Sequence, residues 1–342
     1  MNAWGRCLAR WSVAGLLCVG AAACAPLDAA RGRFAAQVVT YPAPAEEIAA
    51  ADYRVEVNGR PVDVYRAESQ YFDKKYYFAS FDFSGDFAEH RKAWDAYWDE
   101  SFVRLPDARL ETAYNTAQYH LRANATRWSF PVGIFNTHWA GRFFGWDEMF
   151  CYQALVSSNH RDIARRGPEF RCAGLKVALY RAAHYGRSGL FGARYPWETL
   201  EDGTEASPPG FWMEHVFHMS NIALAAWYQY LYSEDPAYLE NTGYPVIREC
   251  ARFFFANMVY DLPDGRVVIG KCTDLERLGP AKANPFMTSC GAIYTLEAAS
   301  RAASLLKMDE TEAAAWTRTA AKLRESLPEE NGRFVPYAGC PD

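Results

Sequence analysis

Alternating apolar and polar residues mark the first part of the chain that predicts regular structure. The run Tyr53–Val57 alternates, Asn58-Gly59 is a hairpin signal, and Val62–Tyr65 alternates again. The run Lys75–Ser84 predicts a third strand. Because three strands make a small sheet rather than an independent sandwich, we expect a short β region over residues 52–87.

From about Ala88 the apolar residues follow the helical period. The pair Asp235-Pro236 predicts a helix start, with Asp as the N-cap and Pro at the first helical position. Seven helices are predicted after residue 107: Leu110–Asn124, Trp146–Ser157, Pro168–Tyr185, Glu214–Leu231, Ala237–Val259, Ser289–Leu306 and Glu310–Leu327. Long loops rich in Gly, Trp, Arg and acidic residues lie at 127–145, 186–213 and 261–288. This alternation predicts helical hairpins around a centre, with chemistry in the loops at one end.

Composition and charge narrow the class of protein. The chain has 342 residues, 50% hydrophobic and 15% aromatic, which supports a large core and excludes a disordered protein. Its 36 basic and 41 acidic residues argue against a nucleic-acid partner. The motifs G-x-S-x-G, G-x-x-x-x-G-K-[ST] and G-x-G-x-x-G are missing, which argues against serine hydrolases, nucleotidases and dinucleotide enzymes.

The N-terminus predicts export. Residues 1–23 combine basic Arg6 and Arg10 with a thirteen-residue apolar run, Trp11–Ala23, as in a signal peptide. The alternative, a transmembrane anchor, is disfavoured because such a run spans roughly 20 Å of a bilayer core of about 30 Å. Residues 21–24 resemble a bacterial lipoprotein cleavage box with Cys24 as the lipidated residue, although simple cleavage after an Ala-x-Ala site is an alternative. We expect the cell envelope as location, a lipid anchor as the sole membrane contact, and a tether over residues 25–51.

A first candidate site lies at Trp146-Asp147-Glu148, at the start of a predicted helix. A tryptophan face can cover the apolar side of a pyranose, while carboxylates accept hydrogen bonds from its hydroxyl groups. The alternative is a buried tryptophan with Asp147 and Glu148 favouring the helix N-terminus.

A second candidate segment runs from Gly192 to Glu205. It holds Arg194, Trp197 and Glu198 among further carboxylates in one loop. A solvated acidic loop is the alternative, but Trp and Tyr flanking a Pro favour contact with a ligand.

A third candidate is the helix-start sequence Glu214-His215-Val216-Phe217-His218, followed by Asn221. Zinc peptidases place two His at i and i+4 with Glu between them, whereas here the spacing is i and i+3 with Glu outside. We therefore expect no metal, and no cofactor. His218 and Asn221 share one helical face and suit hydrogen bonding to a ligand; a structural His is the alternative.

A fourth candidate is the loop around Asp274 and Glu276. Glycosidic cleavage needs a carboxylic acid of raised pKa that donates a proton to the leaving oxygen. Either Glu276 or Asp274 fits this role, with Arg277 or Lys271 holding the other carboxylate ionised. The alternative is a capped loop with surface ion pairs.

Taken in order, these four segments resemble the (α/α)6-barrel enzymes of the maltose, trehalose and kojibiose phosphorylase family, which includes acid trehalases. Trp146–Phe150 is similar to the family's W-D-x-E-x-F segment with one residue missing, and Gly192–Glu205 to its G-A-x-x-P-W segment followed by D-G-x-E. His218 and Asn221 match its His followed by Asp or Asn. The family's acid is a Glu in a G-P-D-E loop, which carries over to Glu276, with Asp274 as the alternative because the spacing differs.

The resemblance implies a mainly α fold with a partial (α/α)6 catalytic-type domain over residues 88–342, since six hairpins need more helices than the seven predicted. It implies a glycosidase that cleaves an oligosaccharide by an inverting acid/base mechanism. Trp146, Asp147, Trp197 and Glu198 would hold the sugar, assisted by Arg194 and His218. Either the chain is truncated or a partner completes the barrel, and the alternative function is a non-catalytic carbohydrate-binding lipoprotein.

Overall fold

The computed structural model describes residues 53–57, 60–68, 75–80, 86–132, 142–185 and 192–340. The predicted signal peptide, Cys24 and the tether lie outside the described residues. The described chain forms two compact units, one with the residues up to Asn124 and one with the residues from Ala125 onward.

The first unit holds a small antiparallel sheet and two helices. Its strands are β1 (Tyr53–Val57), β2 (Arg60–Glu68) and β3 (Lys75–Ser80), in the order β1-β2-β3. The predicted hairpin and third strand are therefore confirmed. Helices α1 (Asp86–Glu100) and α2 (Ala108–Asn124) follow.

Helices α1 and α2 are joined by polar and aromatic contacts. The Tyr97 hydroxyl donates a hydrogen bond of 2.8 Å to the Gln118 side-chain carbonyl, and the ring of Trp94 stacks on Tyr119 with centroids 4.8 Å apart. The predicted helix over residues 110–124 is confirmed and starts two residues earlier.

The second unit is dominated by helices connected by long loops. Its helices are α3 (Gly145–Ser157), α4 (Arg161–Ala164), α5 (Arg166–Ala173), α6 (Leu175–Ala183), α7 (His218–Ser233), α8 (Pro236–Tyr238), α9 (Tyr244–Phe253), α10 (Phe286–Leu306) and α11 (Glu310–Glu325). The π-helical segments Leu239–Gly243 and Phe254–Met258 flank α9.

Short antiparallel strand pairs complete this unit. They are β4 (Phe143–Phe144) with β5 (Glu198–Thr199), β6 (Val259–Asp261) with β7 (Val267–Ile269), and β8 (Glu329–Glu330) with β9 (Arg333–Phe334). The first of these pairs crosses from one predicted loop to another and carries candidate site residues.

Helix α7 is the centre of the packing, because it contacts α3, α9 and α10. Alanines line these interfaces, and Ala223, Ala292 and Ala299 are fully buried. Small side chains let helix axes approach closely, while larger residues such as Trp316 on α11 fill the space around them. The core therefore fixes the helix ends from which the candidate loops project.

Several predicted helix bounds differ from the structure. The predicted helix 168–185 is interrupted at Gly174, where α5 ends and α6 begins. The predicted helix 214–231 starts at His218, because Glu214 ends a separate 3-10 turn and His215 is extended and forms a bridge with Thr273. The predicted start at Asp235 is confirmed, since its carboxylate accepts hydrogen bonds from the amides of Ala237 and Tyr238.

Two further features of the described chain bear on the predictions. Among the described residues, Cys250 and Cys272 are buried and form no disulfide. Within the described ranges no helix combines the length and apolar character needed to cross a membrane.

Candidate functional site

Two predicted sugar-binding tryptophans lie in one aromatic cluster. Trp146, at the start of α3, and Trp197, in the loop before β5, each contact Phe217, with ring centroids 5.4 Å apart in both cases. Phe144 packs edge-on against Trp197 at 5.7 Å. Trp146 is half-buried and Trp197 is buried. The Trp146 ring is therefore the more accessible of the two, while the Trp197 ring is held by its neighbours.

Two carboxyl groups from distant parts of the sequence, Asp147 and Glu198, act on the carboxyl group of Glu276. Glu276 begins a short 3-10 turn, and its pKa is raised first by partial burial and next by the negative charge of Asp147, with Glu198 adding to the effect and Arg277 opposing it. Burial also raises the pKa of Asp147. Asp147 and Glu198 are therefore the acidic neighbours whose charges bear on Glu276.

Glu198 is held by its strand and by an arginine. It lies opposite Phe144 in the β4–β5 pair, and its carboxylate forms an ion pair with Arg142. Arg142 also donates a hydrogen bond of 3.0 Å to the carbonyl of Ala206. Arg142 thus ties β5 to the loop that follows it and fixes the orientation of Glu198.

The loop that carries Trp197 is attached to two helices through its main chain. The amide of Ala193 donates to the carbonyl of Glu249 at 2.8 Å, and the amide of Arg194 donates to the carbonyl of Ala178 at 2.9 Å. Gly192 has a φ of +88°, and a Cβ there would lie 2.1 Å from the nitrogen of Phe253. Only glycine suits this close approach.

Arg194 is engaged by neighbouring protein groups. Its guanidinium lies over the ring of Tyr185, 4.4 Å from the centroid, and donates to the carbonyl of Met213. Burial lowers the pKa of Arg194. Its guanidinium is therefore engaged by Tyr185 and by the main chain at Met213.

His218 and Asn221 both lie on α7, at different depths. His218 is completely buried, and its Nε2 lies 2.9 Å from the carbonyl oxygen of Tyr195. Burial holds the pKa of His218 well below its usual range, so the ring is neutral and supports the main chain next to Trp197. Asn221 is half-buried and lines a small cavity beside Glu148.

Glu148 points away from the neighbouring Asp147. It is 4% exposed, accepts a hydrogen bond from the Ser129 hydroxyl, and pairs with Arg171, whose Nε lies 2.8 Å from the second carboxylate oxygen. Both oxygens are therefore occupied by protein groups, which favours a structural role over direct contact with a sugar.

Asp274 is buried beneath the Glu276 loop. Its Oδ1 accepts hydrogen bonds from the amide of Thr288 at 2.9 Å and from its hydroxyl at 2.6 Å. Burial raises its pKa, and the Thr288 hydrogen bonds oppose this effect. Asp274 thus caps the first turn of α10 from outside the helix and anchors the loop that presents Glu276.

Three residues of this site have roles that the sequence alone does not predict. Arg142 is the ion-pair partner of Glu198, and His215 is the stacking partner of Trp197. Phe217 is the ring that both tryptophans contact. In the sequence, the spacing of His215 and His218 bears only on a metal site, whereas the nearness of His215 to the Trp197 loop along the chain is the signal for its stacking role. Across residues 86–132, 142–185 and 192–340, no cluster of three or more His, Cys, Asp or Glu side chains is arranged to hold a metal ion.

Comparison with solved structures shows the fold. A protein from the human microbiome assigned as a kojibiose phosphorylase superposes with a TM-score of 0.60 at 13% identity, over 75% of this chain and 36% of that chain. A glycosidase superposes with a TM-score of 0.54 at 16% identity, over 70% and 63% of the two chains. The predicted mainly helical fold of (α/α)6 type is thereby confirmed.

Comparison with curated sequences and with family models identifies related carbohydrate-active proteins. A kojibiose hydrolase from Mucilaginibacter mallensis is 27% identical over 226 residues, which are 64% of this chain and 32% of that protein. A periplasmic acid trehalase from Saccharomyces cerevisiae is 25% identical over 218 residues, 60% of this chain and 18% of that protein. The chain thus spans a third or less of the length of these relatives. Residues 110–339 match the central catalytic domain model of glycosyl hydrolase family 65, and the chain belongs to that family.

Proposed function

We propose that this protein contributes the acid side of a glycosidase active site, which cleaves a glycosidic bond in an oligosaccharide with Glu276 as the general acid. Family membership supports this reaction class, and the related proteins include a kojibiose hydrolase and an acid trehalase. The single observation that carries the assignment is the contact chain that joins the segments: Trp146 and Trp197 share the Phe217 ring, and His215 stacks on Trp197 and forms a bridge with Thr273 in the loop that presents Glu276. Partial burial and the charge of Asp147 raise the pKa of Glu276, which favours its protonated form.

The proposed step is an inverting hydrolysis. Protonated Glu276 donates its proton to the glycosidic oxygen as the bond between that oxygen and the anomeric carbon breaks, so the leaving sugar departs as a neutral alcohol. A water molecule attacks the anomeric carbon from the opposite face and gives its proton to a second carboxylate, about 6.5–9.5 Å from the acid. Proton NMR of the first product tests the stereochemistry, because inversion releases the opposite anomer.

The surrounding residues divide into sugar contacts and supports. We assign Trp146 and Trp197 to the apolar faces of the sugar, and Asp147 and Glu198 to its hydroxyl groups. Asp274 is assigned to the loop anchor rather than to the acid, because its carboxylate is buried and bonded to Thr288. The supporting residues behind the site are Glu148, Arg194, His218 and Asn221.

The first test replaces Glu276 with Gln and supplies kojibiose or trehalose. Turnover should fall about 10²–10⁴-fold, since an amide is too weak an acid to protonate the leaving oxygen, while the dissociation constant of the sugar stays near the wild-type value. Glu325→Gln is the matched control, because Glu325 is an exposed side chain on α11. Near-normal turnover by Glu276→Gln would remove Glu276 from the acid role.

The same preparation separates this proposal from a purely carbohydrate-binding protein. Calorimetric titration with each sugar, run beside an assay of released reducing sugar, reports binding and cleavage independently. Binding without product by the wild-type chain, and by a longer chain that includes any following residues, would favour the non-catalytic function. Addition of inorganic phosphate distinguishes hydrolysis from phosphorolysis, which yields a sugar phosphate instead of two free sugars.

We also propose that the chain is exported and lipidated at Cys24. The basic start, the short apolar run and the small residues before Cys24 support this proposal, and the yeast acid trehalase is itself named as periplasmic. Expression with a radiolabelled fatty acid should label the wild-type protein but not a Cys24→Ser variant. Equal labelling of both forms would place the lipid elsewhere, and no labelling of either would favour simple cleavage.

A further inference from the structure

A second open cleft lies in the helical unit, between helix α5 and the turn Glu201–Gly203. Its volume is about 390 Å³, within the range of roughly 300–1,000 Å³ typical of small-molecule sites. The residues that matter for its chemistry are Arg127, Trp128, Arg166, Phe170, Glu201 and Asp202. None of these is among the carboxyl groups and tryptophans of the candidate active site.

The β4–β5 pair separates this cleft from the candidate active site. Successive residues of a strand point to opposite faces, and Phe144 pairs with Glu198 whereas Phe143 pairs with Thr199. Phe144 packs against Trp197, and Glu198 lies on the same face of the pair as Phe144.

Phe143 and Thr199 face the other way. The ring of Phe143 lies 4.9 Å from that of Phe170 and 6.5 Å from that of Trp128, and the Thr199 hydroxyl accepts a hydrogen bond of 2.8 Å from Arg171 of helix α5. Phe170 and Trp128 both line the cleft. The cleft is therefore on the reverse side of the two strands that carry Glu198.

The floor of the cleft is apolar and its rim carries charges of both signs. Its apolar lining is Phe170, Ala173 and Gly174 together with Trp128, and the exposed Arg127 lies over the Trp128 ring, 4.4 Å from its centroid. An apolar floor of this kind suits the C–H face of a sugar ring, and Arg127 presents N–H donors at its edge.

The rim charges nearly cancel, which selects against a strongly charged ligand. The charged residues that line the cleft are Arg127, Arg166, Glu169, Glu201 and Asp202. Asp202 uses one oxygen to accept hydrogen bonds from Thr204, so its other oxygen stays available to a ligand. Guanidinium donors together with carboxylate acceptors fit a neutral ligand with many hydroxyl groups better than a phosphate or a carboxylic acid.

From these observations we infer a second, non-catalytic saccharide-binding site on the reverse face of the β4–β5 pair, formed by Trp128, Phe170, Arg166, Glu201 and Asp202. It binds a neutral pyranose unit and takes no part in bond cleavage. It goes beyond the proposed activity, because binding here requires neither Glu276 nor any other residue assigned to the reaction.

Fluorine NMR of the full chain with 5-fluorotryptophan tests this site directly. The protein carries Glu276→Gln so that added trehalose or maltotriose is not consumed, and Trp128→Phe and Trp197→Phe variants assign the two resonances. We expect both resonances to shift, with different midpoints of titration. Adding Glu201→Gln should raise the midpoint at Trp128 about tenfold, as for the loss of a charged hydrogen bond, and leave the midpoint at Trp197 unchanged.

Glu325→Gln serves as the matched surface control and should change neither midpoint. The inference is overturned if the Trp128 resonance does not move while Trp197 saturates, if both move with one midpoint and both responses vanish in a Trp197→Ala protein, or if Glu201→Gln leaves the Trp128 midpoint in place. Failure of the proposed catalysis would appear separately, as absence of product from the wild-type chain.

Discussion

The indole of Trp197 stacks on the imidazole of His215, with ring centroids 4.3 Å apart and an angle of 23° between the planes. His215 also forms a backbone bridge with Thr273, the residue directly before Asp274 in the loop that leads to Glu276. His215 thus contacts both Trp197 and the loop that leads to the proposed acid, Glu276. The relative position of Trp197 and Glu276 depends on this contact.

The first prediction concerns the pH dependence of stability through His215. Burial lowers its pKa to about 4 from an unfolded value of about 6.5. Between these values the unfolded chain binds more protons than the folded chain, so His215 contributes stability that is fully present above pH 6.5 and is lost as the pH falls towards 4. A His215→Phe variant keeps the stacking but removes this titration.

Urea unfolding of both proteins at pH 7 and pH 4 measures the effect. The decrease in the free energy of unfolding between the two pH values should be smaller in His215→Phe by about 3 kcal/mol. His120 is exposed on α2, and in a His120→Phe variant the free energy of unfolding should decrease between the two pH values by as much as in the wild type. An identical decrease in all three proteins would mean that His215 titrates normally in the folded state.

The second prediction uses two neighbours of Glu276 with opposite charge. Asp147 raises the pKa of Glu276 and Arg277 lowers it. Asp147→Asn should therefore move the Glu276 titration to lower pH, and Arg277→Gln should move it to higher pH. Because the acid must be protonated to act, the high-pH limb of kcat/KM should move in the same two directions.

Carbon NMR of the glutamate side-chain carboxyls reports the titration without any need for activity, and Glu276→Gln assigns the signal. Shifts of the same sign in both variants, or no shift in either, would contradict the shared electrostatic environment. Agreement between the NMR titration and the high-pH limb of kcat/KM would link that environment to the chemistry.

The sequence predicts those features that depend on neighbouring residues along the chain, and it does not predict those that depend on tertiary contacts. The hairpin around Asn58-Gly59 and the cap at Asp235 rest on local chemistry, so the structure confirms both. The break at Gly174 was missed because the apolar period continues through it. The π-helical segments beside α9 have no distinct periodic signature at that length.

Adjacent carboxylates could not be sorted by spacing alone. Asp147 and Glu148 are neighbours on α3, and which of them faces the open space depends on Arg171, which lies on another helix. In the same way Thr288, at the start of α10, decides that Asp274 is buried while Glu276 reaches solvent. Tertiary contacts therefore decide which carboxylate of each pair is buried, whereas the sequence shows only that carboxylates are present there.

The third prediction separates a structural Glu148 from a sugar-binding one. Glu148→Gln leaves the buried Arg171 guanidinium without its carboxylate, since Arg171 is 1% exposed. Loss of one partner of a buried ion pair costs about 3–5 kcal/mol of the free energy of unfolding. The sugar dissociation constant of the folded protein should remain within about twofold of wild type, given that tenfold corresponds to 1.4 kcal/mol.

Urea unfolding and calorimetric titration give the two quantities on the same samples. Asp147→Asn is the matched comparison, with the reverse outcome expected: weaker sugar binding and a small change in stability. Loss of sugar affinity in Glu148→Gln without loss of stability would return Glu148 to the substrate-binding group.

The last prediction concerns the glycine that lets the Trp197 loop approach α9. Gly192 and Gly265 have almost the same φ, +88° and +87°, but differ in surroundings. A Cβ at Gly192 would overlap main-chain atoms of Phe253, whereas a Cβ at Gly265 would meet nothing within 4 Å. Gly265→Ala should therefore lower the free energy of unfolding only by the cost of left-handed backbone, about 1–2 kcal/mol. Gly192→Ala adds a clash with backbone, which cannot move aside, and should cost more than about 4 kcal/mol and weaken sugar binding at Trp197. Chemical denaturation of the pair measures the difference directly, and equal losses would show that the Trp197 loop does not depend on this close approach.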